Sequence, residues 1–285
     1  MTVARVTDSD LAECLAFIER YAPVAMFPLT NFKDHGLASA ENTAPRAMQF
    51  YALKEQGKIL AVLAQSNEGG LFPVFATVPP ERYIAFLPAI QRPVIGMLGS
   101  QEQVRAFLDV LDIKAPRKLD VDEPQLKLEL DQLSPPKDPS LCLSPITQEL
   151  TDIATEWRAE FNITLLNEPP EQARSTSKRE IETYIARDSH RVLLSDGQPV
   201  AMTGFNARYE DHVQIGAVFT PPKLRGRGYA GAAVALHLTE ARAQGVTTAV
   251  LSAASSAAAS VYRRIGFKDC GRYAIVLFDR EEAQA

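Results

Sequence analysis

Three strand-like runs in immediate succession, RVLLS, PVAMTGFNARY and HVQIGAVF, limit what the C-terminal half of this chain can fold into. The turn signals Asp196-Gly197 and Glu210-Asp211 join them. Turns that short reverse the chain, so the runs predict an antiparallel meander. The apolar period is helical on both sides of it. Upstream, Leu150, Ile153, Ala154, Trp157 and Phe161 recur at helical spacing. Ser177-Lys178-Arg179-Glu180 reads as a capping box opening a second helix, with Ile181, Tyr184 and Ile185 on one face. Downstream, a helix runs from about Gly228 to Gln244 and stops at Gly245. VTTAVLS is then a strand, Ser255 to Arg264 a short helix ending near Gly266, and RYAIVLF a last strand.

The first half follows the same order. Its N-terminus reads as a short strand, then a helix capped at Asp8 or Ser9 and carried through Leu11 to Tyr21. FYALKE and KILAVLAQ form a hairpin about Gln56-Gly57, LFPVFATV is a third strand, and Pro80 to Ile90 is helical. PVIGML is a strand and Gln101 to Leu111 a helix. Val74-Phe75-Ala76-Thr77-Val78-Pro79-Pro80 echoes Val218-Phe219-Thr220-Pro221-Pro222, which points to an internal duplication. Ser134-Pro135-Pro136-Lys137-Asp138-Pro139 breaks regular structure and lacks apolar anchors. The expected domains are therefore 1–133 and 141–285, with 134–140 as linker.

Composition excludes several functions. With 46% hydrophobic and 23% charged residues the chain reads as globular, and its net charge of -5 disfavours nucleic acid as a partner. No run approaches the roughly 18 apolar residues of a membrane span, and acids stand where a secretory leader would be apolar. Cys14, Cys142 and Cys270 are far apart and odd in number, so neither a disulfide framework nor a metal site is expected, and cytoplasm is the expected compartment. His35, His190, His212 and His237 are scattered and read as surface or packing residues.

The chemistry gathers at Arg225-Gly226-Arg227-Gly228-Tyr229-Ala230, between the last meander strand and the long helix. Glycines in a strand-to-helix turn let backbone N–H groups converge beside the positive end of the helix dipole, which suits a diphosphate. The spacing is neither that of a P-loop nor that of a dinucleotide fold. Alone, such a turn is an ordinary connection. Its context is a meander before it, then a helix, a strand, and a short helix carrying Tyr262 ahead of Gly266-Phe267.

Taken together, residues 141 to 278 resemble the GNAT superfamily of acyl-CoA N-acyltransferases. The likeness is sharpest over VFTPPKLRGRGYA and over Ser255 to Phe267. The resemblance implies an α/β fold, a mixed α+β sheet, in two tandem GNAT-like domains. The first copy is degenerate, since ERYIAF stands where the glycine turn belongs. It implies acetyl-CoA, or another short acyl-CoA, as co-substrate, no metal, and a small-molecule or peptide amine as acceptor.

The implied site is residue-specific. Backbone amides of Arg225, Gly226, Arg227, Gly228, Tyr229 and Ala230 would hold the pyrophosphate. Ala217, Val218 and Phe219 would run along the pantetheine, with the Val218 amide on the thioester carbonyl. Tyr262 would protonate the leaving thiolate. Ser255 stands where relatives carry an asparagine that touches pantetheine. The general base is left open: Gln214 cannot serve, while Glu210, Asp211 or a water chain could. Glu156, Glu160 and Glu168 could attract a cationic amine, and Trp157 reads as core. Two other readings stay open, a non-catalytic CoA-binding or regulatory module and an aminoacyl transferase using charged tRNA.

Overall fold

The structure, a computed structural model, describes residues 2–76, 79–111, 113 and 115–279. Thr77 and Val78, read from sequence as the end of a strand, lie outside the described residues. The chain divides into two compact units. One comprises the residues up to Glu123 together with those from Gly271 onward; the other is Pro124–Cys270. The segment 134–140, read as a linker, lies inside the second unit and carries neither helix nor strand.

In the first unit, strand β1 (Thr2–Arg5) precedes helices α1 (Asp8–Glu19) and α2 (Ala22–His35). Strands β2 (Met48–Glu55), β3 (Lys58–Ser66) and β4 (Gly70–Phe75) form the meander. A 3₁₀ helix (Pro80–Ala89), β5 (Gly96–Ser100), α3 (Gln101–Val110) and the start of β6 (Arg117–Glu129) follow. The end of β12 (Lys268–Phe278) pairs antiparallel with β5, while β4 and β5 are parallel. The core of this unit is aromatic. Phe75 stacks on Phe86 at 5.3 Å and meets Tyr83 at 4.6 Å, and Phe107 closes the group. Burial of each such side chain contributes about 1.5–3 kcal/mol.

The sequence reading of the N-terminal region needs two corrections. The N-cap of α1 is Thr7, not Asp8 or Ser9. A second helix, α2, also follows where only one was expected; its Pro23 stands in the first turn, where a proline costs no hydrogen bond.

The second unit repeats the order. It runs β7 (Leu141–Pro145), α4 (Thr151–Leu166), α5 (Pro170–Ala186), β8 (His190–Ser195), β9 (Gln198–Tyr209) and β10 (His212–Phe219). A 3₁₀ turn (Pro222–Leu224), α6 (Tyr229–Ala243), β11 (Thr248–Ser252) and α7 (Ser256–Arg264) complete it. Its sheet is antiparallel except for β10–β11, and the Gln125–Glu129 part of β6 pairs along the whole of β11. Successive strand residues face opposite layers. Val192 and Met202 join Ala154, Trp157 and Ile181 of α4 and α5 in one core, while Leu193 and Ala201 join Ala232 and Ala233 of α6 in another.

The capping box at Ser177–Glu180 is not one. Helix α5 begins two turns earlier, at Pro170, where proline's fixed φ suits the first helical position. Ser177 is instead fully buried inside the helix and accepts a hydrogen bond from Asn162 Nδ2 at 3.2 Å.

Candidate functional site

The site begins with two irregularities in the meander. Between β9 and β10 the register jumps from Gly216↔Gly204 to Phe219↔Met202, so Ala217 and Val218 together stand opposite Thr203. Ala217 takes a left-handed φ of 51°, the mark of a bulge that bends its strand. On its other side, β10 pairs with β11 only over His212–Gln214. Beyond Gln214 the two parallel strands no longer pair, which leaves a gap in the ladder between Gly216–Phe219 and the end of β11. The main chain facing that gap lacks a ladder partner, which a ligand with its own amide groups can supply.

The strand then leads into the glycine turn. Pro221 fixes the exit from β10, and the 3₁₀ turn Pro222–Leu224 delivers the chain to Arg225. Gly226 and Gly228 have φ of 80° and 84°, a region that a side chain strains. Added Cβ atoms at either would meet nothing within 4 Å, so the glycines serve the backbone path and an open approach rather than packing. Gly228 is the N-cap of α6, whose first turn holds no acid to compete for the dipole. Arg225 folds back, its Nε donating to the Thr220 carbonyl at 3.0 Å.

Helix α7 packs against α6. The Ser255 hydroxyl caps it, accepting from the Ala258 amide at 3.1 Å. Helix α6 meets α7 at Gly231, where a Cβ would stand 3.0 Å from Val261, so the glycine sets how closely the two helices approach. Tyr262 is buried, edge-on to Phe267. Val218 packs on the same apolar cluster, which also contains Leu251 and Ala259. Val218 and Tyr262 thus share one apolar cluster, while Ala217 and Phe219 pack in the cluster under α4 and α5.

The acids considered as bases are not gathered there. Asp211 holds the far end of β10: its main-chain carbonyl accepts from the amides of Thr247 and Thr248, and its carboxylate bonds the Thr247 hydroxyl and His212. These bonds hold its carboxyl below the usual range. Ala217 lies six residues on, about 20 Å along an extended strand. Glu156 and Glu160 instead line a groove of about 310 Å³ between α4 and α5, with Ile163 and Arg174. Trp157 is core, as read from the sequence.

Sequence reasoning missed the layer under α4 and α5. Here His190 is 2% exposed and its ring lies on Gly204, where any Cβ would fall inside the imidazole. Tyr184 stacks on it at 3.4 Å, and Ser189 Oγ meets Nδ1 at 2.9 Å. Nε2 has no hydrogen-bond partner among the described residues. Burial, then the nearby Arg158, push the imidazole well below its ordinary pKa and keep it neutral. Arg158 makes a two-pronged contact with Glu180, 2.8 Å on each prong, and Asn162 donates to the same carboxylate at 2.8 Å. The available signal was the glycine pair in MTGFN and QIGAV, which no scattered-histidine argument uses.

The first unit lacks these features. Strand β4 pairs with β3 without a bulge, and the 3₁₀ helix takes the place of the glycine turn. Main chain at the end of its β4 is satisfied from within: Gln103 of α3 receives a hydrogen bond from the Phe75 amide at 3.1 Å and donates to the Phe75 carbonyl at 2.8 Å. Among the described residues, no group of three or more His, Cys, Asp and Glu could hold a metal ion, and no helix is long and apolar enough to cross a membrane.

Residues 151–267 match the family model described as acetyltransferase (GNAT) family. Among solved structures the chain is similar to a GNAT-family acetyltransferase from Colwellia psychrerythraea, at 12% identity and TM-score 0.53, covering 98% of this chain and 100% of that one. A GCN5-related N-acetyltransferase from Sphaerobacter thermophilus gives 16% identity and TM-score 0.55, with 96% and 94% covered. A Drosophila protein gives 13% and 0.61, with 96% and 98% covered. At such identities the likeness is one of fold. None of the curated proteins matches the sequence.

Proposed function

Since the chain carries a domain of the acetyltransferase (GNAT) family over residues 151–267, we propose that it transfers an acetyl or other short acyl group from coenzyme A to a primary amine, by direct attack with both substrates bound. The observation that carries this reading is the conjunction, in one unit, of the Ala217–Val218 bulge, the gap in the β10–β11 ladder and the two left-handed glycines ahead of α6. These residues fit the co-substrate. The turn Arg225–Ala230 offers backbone amides and a helix N-terminus to a diphosphate, and the open space above Gly226 and Gly228 admits it. Main chain at Ala217, Val218 and Phe219 borders that gap, where an amide-bearing arm can extend the sheet.

Within that frame the residues divide the work. The Val218 N–H donates to the oxygen on which negative charge develops. Tyr262 gives its proton to the departing sulfur; a phenol keeps that proton at neutral pH. Ser255 is already engaged in capping, so any contact it makes with the arm is a second one. The acceptor is a small-molecule or peptide amine.

A thiol-trapping assay with acetyl-CoA and a panel of amines (benzylamine, spermidine and a short peptide) tests the reading. Amine-dependent thiol release by the wild type and its loss in Gly228→Glu are expected. Release that survives Gly228→Glu, or release by no amine, would count against it.

A further inference from the structure

We propose that His190 takes the proton from the attacking amine, directly or through one water, at Nε2. This rests on the reading above, which places the thioester carbonyl at the Val218 amide, two residues beyond Gly216.

The geometry is a row across the sheet. His190, Gly204 and Gly216 are register partners on β8, β9 and β10. The His190 ring lies over Gly204, with Cγ, Cδ2 and Nε2 about the position a Cβ would take. The imidazole has therefore crossed one strand toward β10, and its far nitrogen stands about one strand spacing, ~5 Å, from the row's end at Gly216. Gly216 precedes the bulge residue Ala217. Two glycines make this possible: a side chain at Gly204 would displace the ring, and one at Gly216 would displace the Asn206 amide, which covers that position. Asn206 is displaced in register between Gln214↔Ala207 and Ile215↔Phe205, and it is exposed. The exposed Asn206 amide thus covers the end of the row at Gly216, one strand from the buried nitrogen.

The hydrogen bonding leaves the Nε2 lone pair available. Nδ1 is engaged by Ser189 at 2.9 Å; when Nδ1–H donates there, Nε2 keeps its lone pair. Tyr184 holds the ring plane from above, and the Arg158–Glu180–Asn162 group braces α4 against α5 behind it. A buried polar nitrogen without a partner is costly unless something is to be bound there. Among the other candidates, Gln214 cannot accept a proton as a base, and Asp211 is tied to Thr247 at the far end of its strand.

The protons balance. As the amine nitrogen bonds to the carbonyl carbon, its proton goes to Nε2. As the C–S bond breaks, the sulfur takes the Tyr262 proton. One proton then moves from imidazolium to phenolate through solvent, restoring both groups. Burial, then the nearby Arg158, disfavour the imidazolium and so favour passing its proton on.

Two measurements on the full chain test this. The first is ¹⁵N-histidine NMR, which needs no acceptor. Expected at neutral pH is His190 in the Nδ1–H form with Nε2 bare; a proton resident on Nε2 would overturn the proposal. The second is thiol release from acetyl-CoA with benzylamine as the probe amine. His190→Gln should lower kcat about 100-fold and leave the KM for acetyl-CoA unchanged, within the range for a lost acid–base group. A kcat within about threefold of wild type, with acetyl-CoA still bound, would overturn the role of His190 alone. Failure of the wild type to bind acetyl-CoA would instead overturn the reading on which it rests. Ser189→Ala, which frees Nδ1, should give a smaller fall in kcat at unchanged KM.

Discussion

Tyr262 is a residue whose chemistry and packing can be separated. Its ring is held by the cluster around Leu251, Ala259 and Phe267, and a phenylalanine would keep those contacts. Only the hydroxyl would be lost. If that hydroxyl protonates the leaving thiolate, Tyr262→Phe should lower kcat by about 10- to 100-fold while acetyl-CoA affinity holds within about twofold. Steady-state kinetics with calorimetric binding separates the two terms. An unchanged kcat would leave Tyr262 a packing residue. The sequence brought Tyr262 forward because Gly266-Phe267 follows it at fixed spacing. His190 had no such signal, because its meaning comes from glycines on two other strands, and register is a property of the folded sheet.

At the scale of elements, the meander and the helices were legible because strands alternate with period two and helices with period 3.6. Helices α4, α6 and α7 and strands β8 to β12 stand close to where those periods put them. Element starts were less legible. Pro169 and Pro170 set the start of α5, whereas the Ser177–Glu180 pattern only resembled a cap. The Ala217–Val218 bulge leaves no mark in the letters HVQIGAVF, yet it breaks the strand's regular pairing with β9. The first unit shows the contrast. Its β4 has no bulge, its aromatic core occupies the region after β4, and the Gln103 carboxamide satisfies the Phe75 main chain. Among the described residues, the duplicated order of elements therefore carries the bulge and the glycine turn in the second unit and not in the first.

For the whole molecule, the compact units do not follow the chain's midpoint. Pairing along all of β11 comes from Gln125–Glu129, and Leu126, Leu128 and Leu130 lie in the same core as Tyr262. A fragment of residues 141–285 would lack them. Loss of these three buried leucines at about 2–5 kcal/mol each is as large as the whole stability of an ordinary domain, so this fragment should fail to give a cooperative thermal transition. A folded, acetyl-CoA-binding 141–285 fragment would mean that β6 is dispensable. The measurement that bears most directly on the central claim is a calorimetric titration of the full chain with acetyl-CoA, beside Gly228→Glu. One molecule bound per chain, and no binding by the variant, is the expected result. No heat from the wild type, two sites per chain, or undiminished binding by Gly228→Glu would contradict it.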